Sequence, residues 1–219
     1  MDKDRIDRVK QIQRSDCLQF LDFDLKYNID TFGPVEQSKD GLNQTKPASV
    51  DNHELFEGSS GYQPSALHWL DTINEYFEKN INIENYSFVD VGSGKGKVIF
   101  YNLIQLQKYK NYIGIEIDQK YHDIAVNNLK TINIQINKEV EFVNDDARNF
   151  DYSRSNSIYY FFFPFSLEIF KEIMNNNFKQ MSNKNNYLVF LFEQVYDIEN
   201  NFKIKPVFVN DAVSIYKID

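Results

Sequence analysis

The chain has 219 residues, of which 42% are hydrophobic and 16% aromatic, and its formal net charge is −8. This composition excludes a disordered chain, and the length suits one α/β domain with an N-terminal extension. The acidic balance argues against a nucleic-acid partner. A single cysteine, Cys17, excludes an intrachain disulfide and any multi-cysteine metal site, and the three histidines lack ligand spacing, so we expect no metal.

Residues 1–80 are predicted to form a helical extension that covers the rest of the chain. Apolar residues recur at helical spacing over residues 6–18, and a polar stretch containing Gly and Pro follows. A second helix is predicted over residues 67–77, after Pro64 and Ser65. Residues 1–14 are charged and lack the apolar core of a signal peptide, and no apolar run could cross a membrane. We therefore expect a cytoplasmic protein.

Strands and helices alternate over residues 81–219, the predicted catalytic core. We predict strands at 88–91, 112–117, 140–143, 158–162 and 187–192, and helices at 98–106, 121–129 and 167–178. The tail contains two strand-like runs, 203–209 and 212–218, joined at Asn210-Asp211, which is a typical hairpin turn. The pattern predicts an α/β fold: a Rossmann-like, mostly parallel sheet of about seven strands, with helices on both faces and a C-terminal antiparallel hairpin.

A glycine-rich loop, residues 92–96, follows the first predicted strand. Glycines permit a sharp turn and a close approach to a ligand, and the next helix offers free N–H groups. Gly94-Lys95 is not followed by Ser or Thr, as a P-loop requires, and Gly96 comes one residue too early for the dinucleotide fingerprint. The spacing G-x-G-x-G, with Asp90 two residues before the first glycine, is typical of S-adenosylmethionine binders.

Residues 88–96 resemble motif I of class I S-adenosylmethionine-dependent methyltransferases. The resemblance implies that S-adenosyl-L-methionine is the cofactor and that Asp90 fixes the loop and the methionine amino group. The loop residues that it places around the amino-acid part of the cofactor are Gly92, Ser93, Gly94 and Gly96.

Two further acids stand at the carboxyl ends of the second and third predicted strands. Glu116 stands where a carboxylate can accept hydrogen bonds from both ribose hydroxyls, and its rival Asp118 would instead cap the next helix. The third strand ends in a segment similar to the family's Gly-Asp-Ala. That similarity implies that Asp146 accepts a hydrogen bond from the adenine amino group, with the Ala147 N–H near the ring and Asp145 as the rival. The three acids would surround a sulfonium cation with negative charge.

Phe163 occupies the place where many of these methyltransferases carry an Asn that orients a planar amino group. The absence of this Asn weakens the case for methylation of a base or a glutamine amide. Phe163-Pro164-Phe165 can still form an aromatic wall beside an acceptor. We predict that residues 159–162 form a buried central strand. Candidate catalytic residues are Glu193, Phe163 and Tyr62, and further candidates for a base are His53, His68 and Glu57.

Two upstream segments, residues 23–31 and 61–65, resemble a largely uncharacterised bacterial group that is distantly similar to DOT1-like lysine methyltransferases. The resemblance implies that Tyr62 and Ser65 fold over the methionine end of the cofactor. The alternatives are core packing by Tyr62 and helix capping by Ser65.

The expected function is S-adenosylmethionine-dependent methyl transfer to a protein side chain or a small-molecule nucleophile. A non-catalytic cofactor-binding regulator or partner subunit is the alternative, and a nucleotide-binding oxidoreductase is disfavoured by the glycine spacing. The sequence leaves the acceptor, the base and the oligomeric state open.

Overall fold

The computed structural model describes residues 22–32, 64–154, 156–182, 184–192 and 198–218. Seven strands form one sheet: β1 Ser87–Val91, β2 Asn111–Glu116, β3 Glu139–Asn144, β4 Ser157–Phe161, β5 Asn186–Leu191, β6 Pro206–Val209 and β7 Val213–Ile218. From residue 64 onward, the helices of the described residues are α1 Leu67–Asn80, α2 Lys97–Gln105, α3 Gln119–Thr131, α4 Leu167–Ser182 and α5 Ile198–Phe202. Single turns of 3-10 helix span Ile83–Asn85 and Ala147–Asn149.

The strand order is β3-β2-β1-β4-β5-β7-β6. Strands β1 to β5 are parallel, and β7 runs antiparallel between β5 and β6. The predicted fold is confirmed, including the C-terminal hairpin. Because β2 and β4 flank β1, the carboxyl ends of these three strands meet at one edge of the sheet, and Asp90 lies in register with Gly114 and Tyr160.

The core lies on both faces of the central strands, because β1, β4 and β5 are buried along their whole length. On one face Phe77 of α1 and Phe100 of α2 pack against the sheet. On the other face Phe170 and Met174 of α4 do so. Strand β3 lies at an edge, and Glu139 and Glu141 alternate with less exposed residues there. This alternation is typical of a strand with one face in water.

Several element boundaries differ from the prediction, and one helix was not predicted. Strand β6 begins at Pro206 rather than at 203, since proline has no N–H for a ladder and is accepted on an edge strand. Strand β4 ends at Phe161, because the backbone turns into the left-handed region at Phe163. Helix α5 was not predicted, and with five residues it is too short for a periodic apolar pattern to reveal it.

Residues 22–32 are the described part of the predicted N-terminal extension that precedes α1. Residues 22–27 are helical, and the buried Asp24 carboxylate then accepts hydrogen bonds from the Thr31 N–H, the Thr31 hydroxyl and the Phe32 N–H. These bonds close the segment into a compact turn. The helix predicted over residues 6–18 lies outside the described residues. None of the helices in the described ranges has both the length and the apolar character needed to cross a lipid bilayer.

Candidate cofactor site

The glycine-rich loop turns sharply between β1 and α2. Gly92, Gly94 and Gly96 have φ values of +80°, +53° and +81°, a region that favours glycine. The Gly92 and Ser93 N–H groups both donate to the Ile115 carbonyl of β2, at 2.9 and 2.8 Å. The loop is therefore bent over the end of the neighbouring strand, with the start of α2 behind it.

At two of these positions, neighbouring side chains also leave no room for a Cβ atom. A Cβ atom on Gly92 would lie 2.4 Å from the Pro164 Cβ, and one on Gly96 would lie 2.8 Å from the rings of Phe100 and Phe142. The segment after β4 thus rests directly on the glycine loop.

We expect Gly92→Ala to lower the free energy of unfolding by about 2 to 4 kcal/mol, because overpacking against Pro164 adds to a left-handed φ. Chemical denaturation measures the loss. A second change, Pro164→Gly, removes the opposing Cβ and should restore part of the stability. If Gly92→Ala were as stable as the wild type, the close contact between Gly92 and Pro164 would be contradicted.

Glu116 is buried at the end of β2 and binds the loop directly. Its Oε2 accepts a hydrogen bond from the Gly94 N–H at 2.7 Å, and its Oε1 accepts one from the Asp118 N–H at 2.8 Å. Burial raises the pKa of the Glu116 carboxyl to about 7, although the two N–H groups oppose the shift. Asp118 caps α3 by accepting from the Lys120 N–H, so the capping role weighed for this residue is confirmed.

Asn144 is a residue of this site that sequence reasoning missed. Its side-chain amide donates to the Glu116 carbonyl at 2.8 Å and to the Ile117 carbonyl at 3.2 Å. The end of β3 thereby fixes the backbone that carries the Glu116 carboxylate. An Asn at a strand end has many possible partners, so no local pattern could indicate this one.

Asp90 and Ser93 provide buried polar groups at the same edge. Burial, reinforced by the charge of Glu116, raises the pKa of the Asp90 carboxyl well above its usual range. Ser93 Oγ is buried and has no hydrogen-bond partner within the described parts of the chain. A buried hydroxyl without a partner inside a glycine loop fits a site that receives a polar ligand.

Asp146, the predicted adenine acceptor, caps the 3-10 turn after β3. Its carboxylate accepts from the Arg148 N–H and forms an ion pair with the Arg148 guanidinium at 2.6 Å, which lowers the pKa of the Asp146 carboxyl. Asp145 accepts from the Asp146 N–H and from the Asn149 side chain. Hydrogen bonds to nearby residues therefore hold both the Asp145 and the Asp146 carboxylates in place. Ala147 begins the turn, and its carbonyl accepts from the Tyr152 hydroxyl.

Ser65 does not cap a helix, so that alternative is wrong. Ala66 occupies the N-cap position of α1, and no side chain caps the helix there. The Ser65 hydroxyl instead shares a buried hydrogen bond of 2.7 Å with the Tyr160 hydroxyl of β4, in register with Asp90. His68 is exposed on α1. The other upstream or loop candidates, Tyr62, Glu193, His53 and Glu57, lie outside the described residues.

Phe163 belongs to a group of aromatic side chains beyond the carboxyl ends of β4 and β5. Its ring stacks on that of Phe192 at a centroid distance of 6.1 Å and an angle of 11°. Trp69 of α1 meets Phe192 edge-on at 4.9 Å and Phe162 at 6.1 Å. We call these four half-buried residues, Trp69, Phe162, Phe163 and Phe192, the aromatic cluster. Phe165, weighed as part of the same wall, packs into the core instead, against Phe161.

Lys95 ties the glycine loop to the N-terminal segment, a link that the sequence did not indicate. Its side chain is fully buried, and Nζ donates to Asp30 Oδ1 at 3.2 Å and to the Phe32 carbonyl at 3.3 Å. The Asn128 side chain of α3 donates to the carbonyls of Asp30 and Lys95 and accepts from the Asp30 N–H. Residues 30–32 are thus bonded to both the loop and α3.

Among the described residues, no group of three or more His, Cys, Asp or Glu side chains is arranged to hold a metal ion. Asp90 and Glu116, the two buried acids at this edge of the sheet, lie on neighbouring strands.

The solved structures that resemble this chain include two bacterial proteins of low sequence identity. An inferred methylase from Haemophilus influenzae is 15% identical, with a TM-score of 0.50, and the match covers 73% of this chain and 93% of that one. An inferred methyltransferase from Escherichia coli is 16% identical, with a TM-score of 0.52, and the match covers 74% and 90%. No family model and no curated protein matches the chain. The likeness shows the fold alone, which is that of an α/β methyltransferase.

Proposed function

We propose that this protein binds S-adenosyl-L-methionine and transfers its methyl group to a protein side chain or a small-molecule nucleophile. The observation that carries the proposal is the hydrogen bond from the Gly94 N–H to Glu116 Oε2. It joins a glycine loop of methyltransferase spacing to an acid at the end of the adjacent strand. A hydroxyl-bearing ligand can therefore contact both at once.

The chain's own groups fit such a ligand. Each Glu116 oxygen accepts one backbone N–H and keeps a further lone pair for a ribose hydroxyl. The left-handed turns at Gly92, Gly94 and Gly96 bend the loop over the end of β2, and Ser93 Oγ is available as a donor. Asp90 adds a buried carboxyl group beside the loop. We assign the adenine end to the Asp146 carboxylate and the Ala147 N–H, which follow β3, and the methionine end to Ser65 together with Tyr62.

The bound cofactor would supply a methyl group activated by positive sulfur: the carbon–sulfur bond breaks, its electron pair stays on sulfur, and the acceptor's lone pair forms the new bond. The chain provides alignment and charge, which are the main demands of such a transfer. The narrower relationship to the DOT1-like bacterial group is part of this proposal and favours an amine acceptor on a protein.

A non-catalytic cofactor-binding protein is the second candidate, and the residue that favours it is Phe163. This side chain, which offers no hydrogen bond, stands where many methyltransferases orient the acceptor with an amide. A regulator or partner subunit needs only the cofactor site, which does not include that amide.

Ligand binding to the full chain tests the proposal. S-adenosylmethionine and S-adenosylhomocysteine should each raise the midpoint of thermal unfolding, because a ligand that binds only the folded state stabilises it, whereas NAD should not. No shift with either adenosyl ligand would refute both candidate functions. Binding without transfer of labelled methyl groups to any fraction of a cell extract would select the non-catalytic protein.

Glu116→Ala should weaken S-adenosylmethionine binding roughly 10- to 150-fold, since about 1.5 to 3 kcal/mol is typical of hydrogen bonds to a charged group. Isothermal titration calorimetry measures the change. Asp118→Ala is the matched control: it removes a helix cap at a cost of about 1 kcal/mol in stability and should leave the affinity near that of the wild type. If Asp118→Ala lost binding and Glu116→Ala did not, the ribose assignment would be wrong.

A further inference from the structure

The aromatic cluster contains two residues in an unfavourable backbone conformation. Phe163 has a φ of +45° and Phe192 a φ of +55°, and each follows the end of one of two adjacent parallel strands. Bulky residues rarely adopt this left-handed region, and such strain persists where the surrounding structure enforces it, often at functional sites. Here it brings the two rings into a parallel stack, 11° apart in orientation.

The position of the cluster relates it to the methionine end of the proposed cofactor site. Pro164, next to Phe163, contacts Gly92 so closely that a Cβ there would lie 2.4 Å away. Strand β4 neighbours β1, whereas the acids assigned to ribose and adenine follow β2 and β3 on the other side of β1. The half-buried rings therefore lie on the β4 side of β1, opposite the strands that carry the ribose and adenine assignments.

Aromatic rings at such a place can discriminate charge. The face of a ring is electrostatically negative and attracts a cation, and the attraction strengthens where water is excluded. S-adenosylmethionine carries a positive sulfonium at its centre, whereas the product S-adenosylhomocysteine has a neutral thioether in the same place. A ring contact would therefore favour the substrate over the product.

We infer that the aromatic cluster binds the sulfonium centre and makes the site selective for S-adenosylmethionine over S-adenosylhomocysteine, with Phe163 and Phe192 as the specificity-determining residues. The inference rests on the proposed function, since it assumes that cofactor. It also gives a role to Phe163, which stands where many methyltransferases carry an Asn. The side chain at this position contacts the methyl donor rather than orienting the acceptor. Loss of positive charge on methyl transfer then weakens the contact and promotes product release.

Calorimetric titration of the full chain with each of the two ligands tests the inference. The wild type should bind S-adenosylmethionine about tenfold more tightly than S-adenosylhomocysteine, within the range of a desolvated cation–aromatic contact. Phe163→Leu and Phe192→Leu should each weaken S-adenosylmethionine binding several-fold and change S-adenosylhomocysteine binding by less than twofold. Phe192→Tyr, which keeps a ring, should retain the selectivity.

Phe208→Leu is the matched control, because Phe208 is also half-buried but lies on β6, beside Tyr76 and away from the glycine loop. It should leave both affinities unchanged. Equal weakening of the two ligands by the cluster variants would overturn the inference, as would a wild type that binds S-adenosylhomocysteine as tightly as S-adenosylmethionine. A wild type that binds neither ligand would refute the proposed function itself, so the two failures are distinguishable.

Discussion

Asp30→Ala is expected to lower the free energy of unfolding by about 3 kcal/mol, although Asp30 is a partly exposed residue. Its carboxylate pairs with Lys95 Nζ at 3.2 Å, and the lysine side chain is 0% exposed, compared with 31% for the aspartate. Removing the aspartate leaves a fully buried ammonium without this carboxylate, which is the costly way to break a buried pair. Urea denaturation at neutral pH measures the change.

The opposite substitution provides the control. Lys95→Met keeps much of the buried volume and leaves a carboxylate that water can reach, so it should cost less than Asp30→Ala. The double variant should be more stable than the sum of the two single losses predicts, because its buried charge is gone. Strictly additive losses would show that the pair is not coupled, and a larger loss for Lys95→Met would contradict the asymmetry of burial.

The stability of the ligand-free protein is expected to fall as the pH rises from about 4.5 to about 7. Burial raises the pKa of Glu116 from 4.5 to about 7, so over this interval the folded state holds a proton that the unfolded state releases. Stability is then complete below the unfolded pKa and is lost as the pH rises through the folded one, by about 3 kcal/mol in total. Burial raises the pKa of Asp90 as well, and its effect has the same sign.

Denaturation at a series of pH values measures this slope, and Glu116→Gln is the control because an amide does not titrate. The variant should show a flatter profile, with a remaining slope from Asp90. An unchanged slope would exclude Glu116 as its source. With the cofactor bound, ribose hydroxyls would favour the ionised carboxylate, so the affinity of the wild type should weaken as the pH falls below 7.

The fold was predictable because its determinants are local. The apolar runs of β1, β4 and β5 are continuous, as strands buried on both faces require, and they alternate with segments of helical spacing. Asn210 and Asp211 marked the hairpin turn between β6 and β7. Elements without a periodic signal, such as the five-residue helix α5, could not be found in this way.

The candidate site was predictable where a motif carries it and not where distant residues meet. The glycine spacing indicated the loop, and position in the strand distinguished Glu116 from Asp118. The contacts of Lys95 with Asp30 and of Asn144 with Glu116 join residues separated by 65 and 28 positions, and no local pattern records them. The left-handed backbone conformation of Phe163 and Phe192 also could not be predicted from the sequence, because bulky residues rarely adopt it.

The bonding of residues 22–32 to α3 has a consequence for the order in which the chain folds during synthesis. Asn28 and Asp30 bond to Thr131 and Asn128, which are 103 and 98 positions later in the chain. At typical translation rates, about 5 to 20 s pass between the synthesis of these partners. Until then, the hydrogen bonds that join residues 28 and 30 to α3 cannot form. The Lys95 carbonyl of the glycine loop, made in between, therefore gains its hydrogen bond from Asn128 only after α3 has left the ribosome.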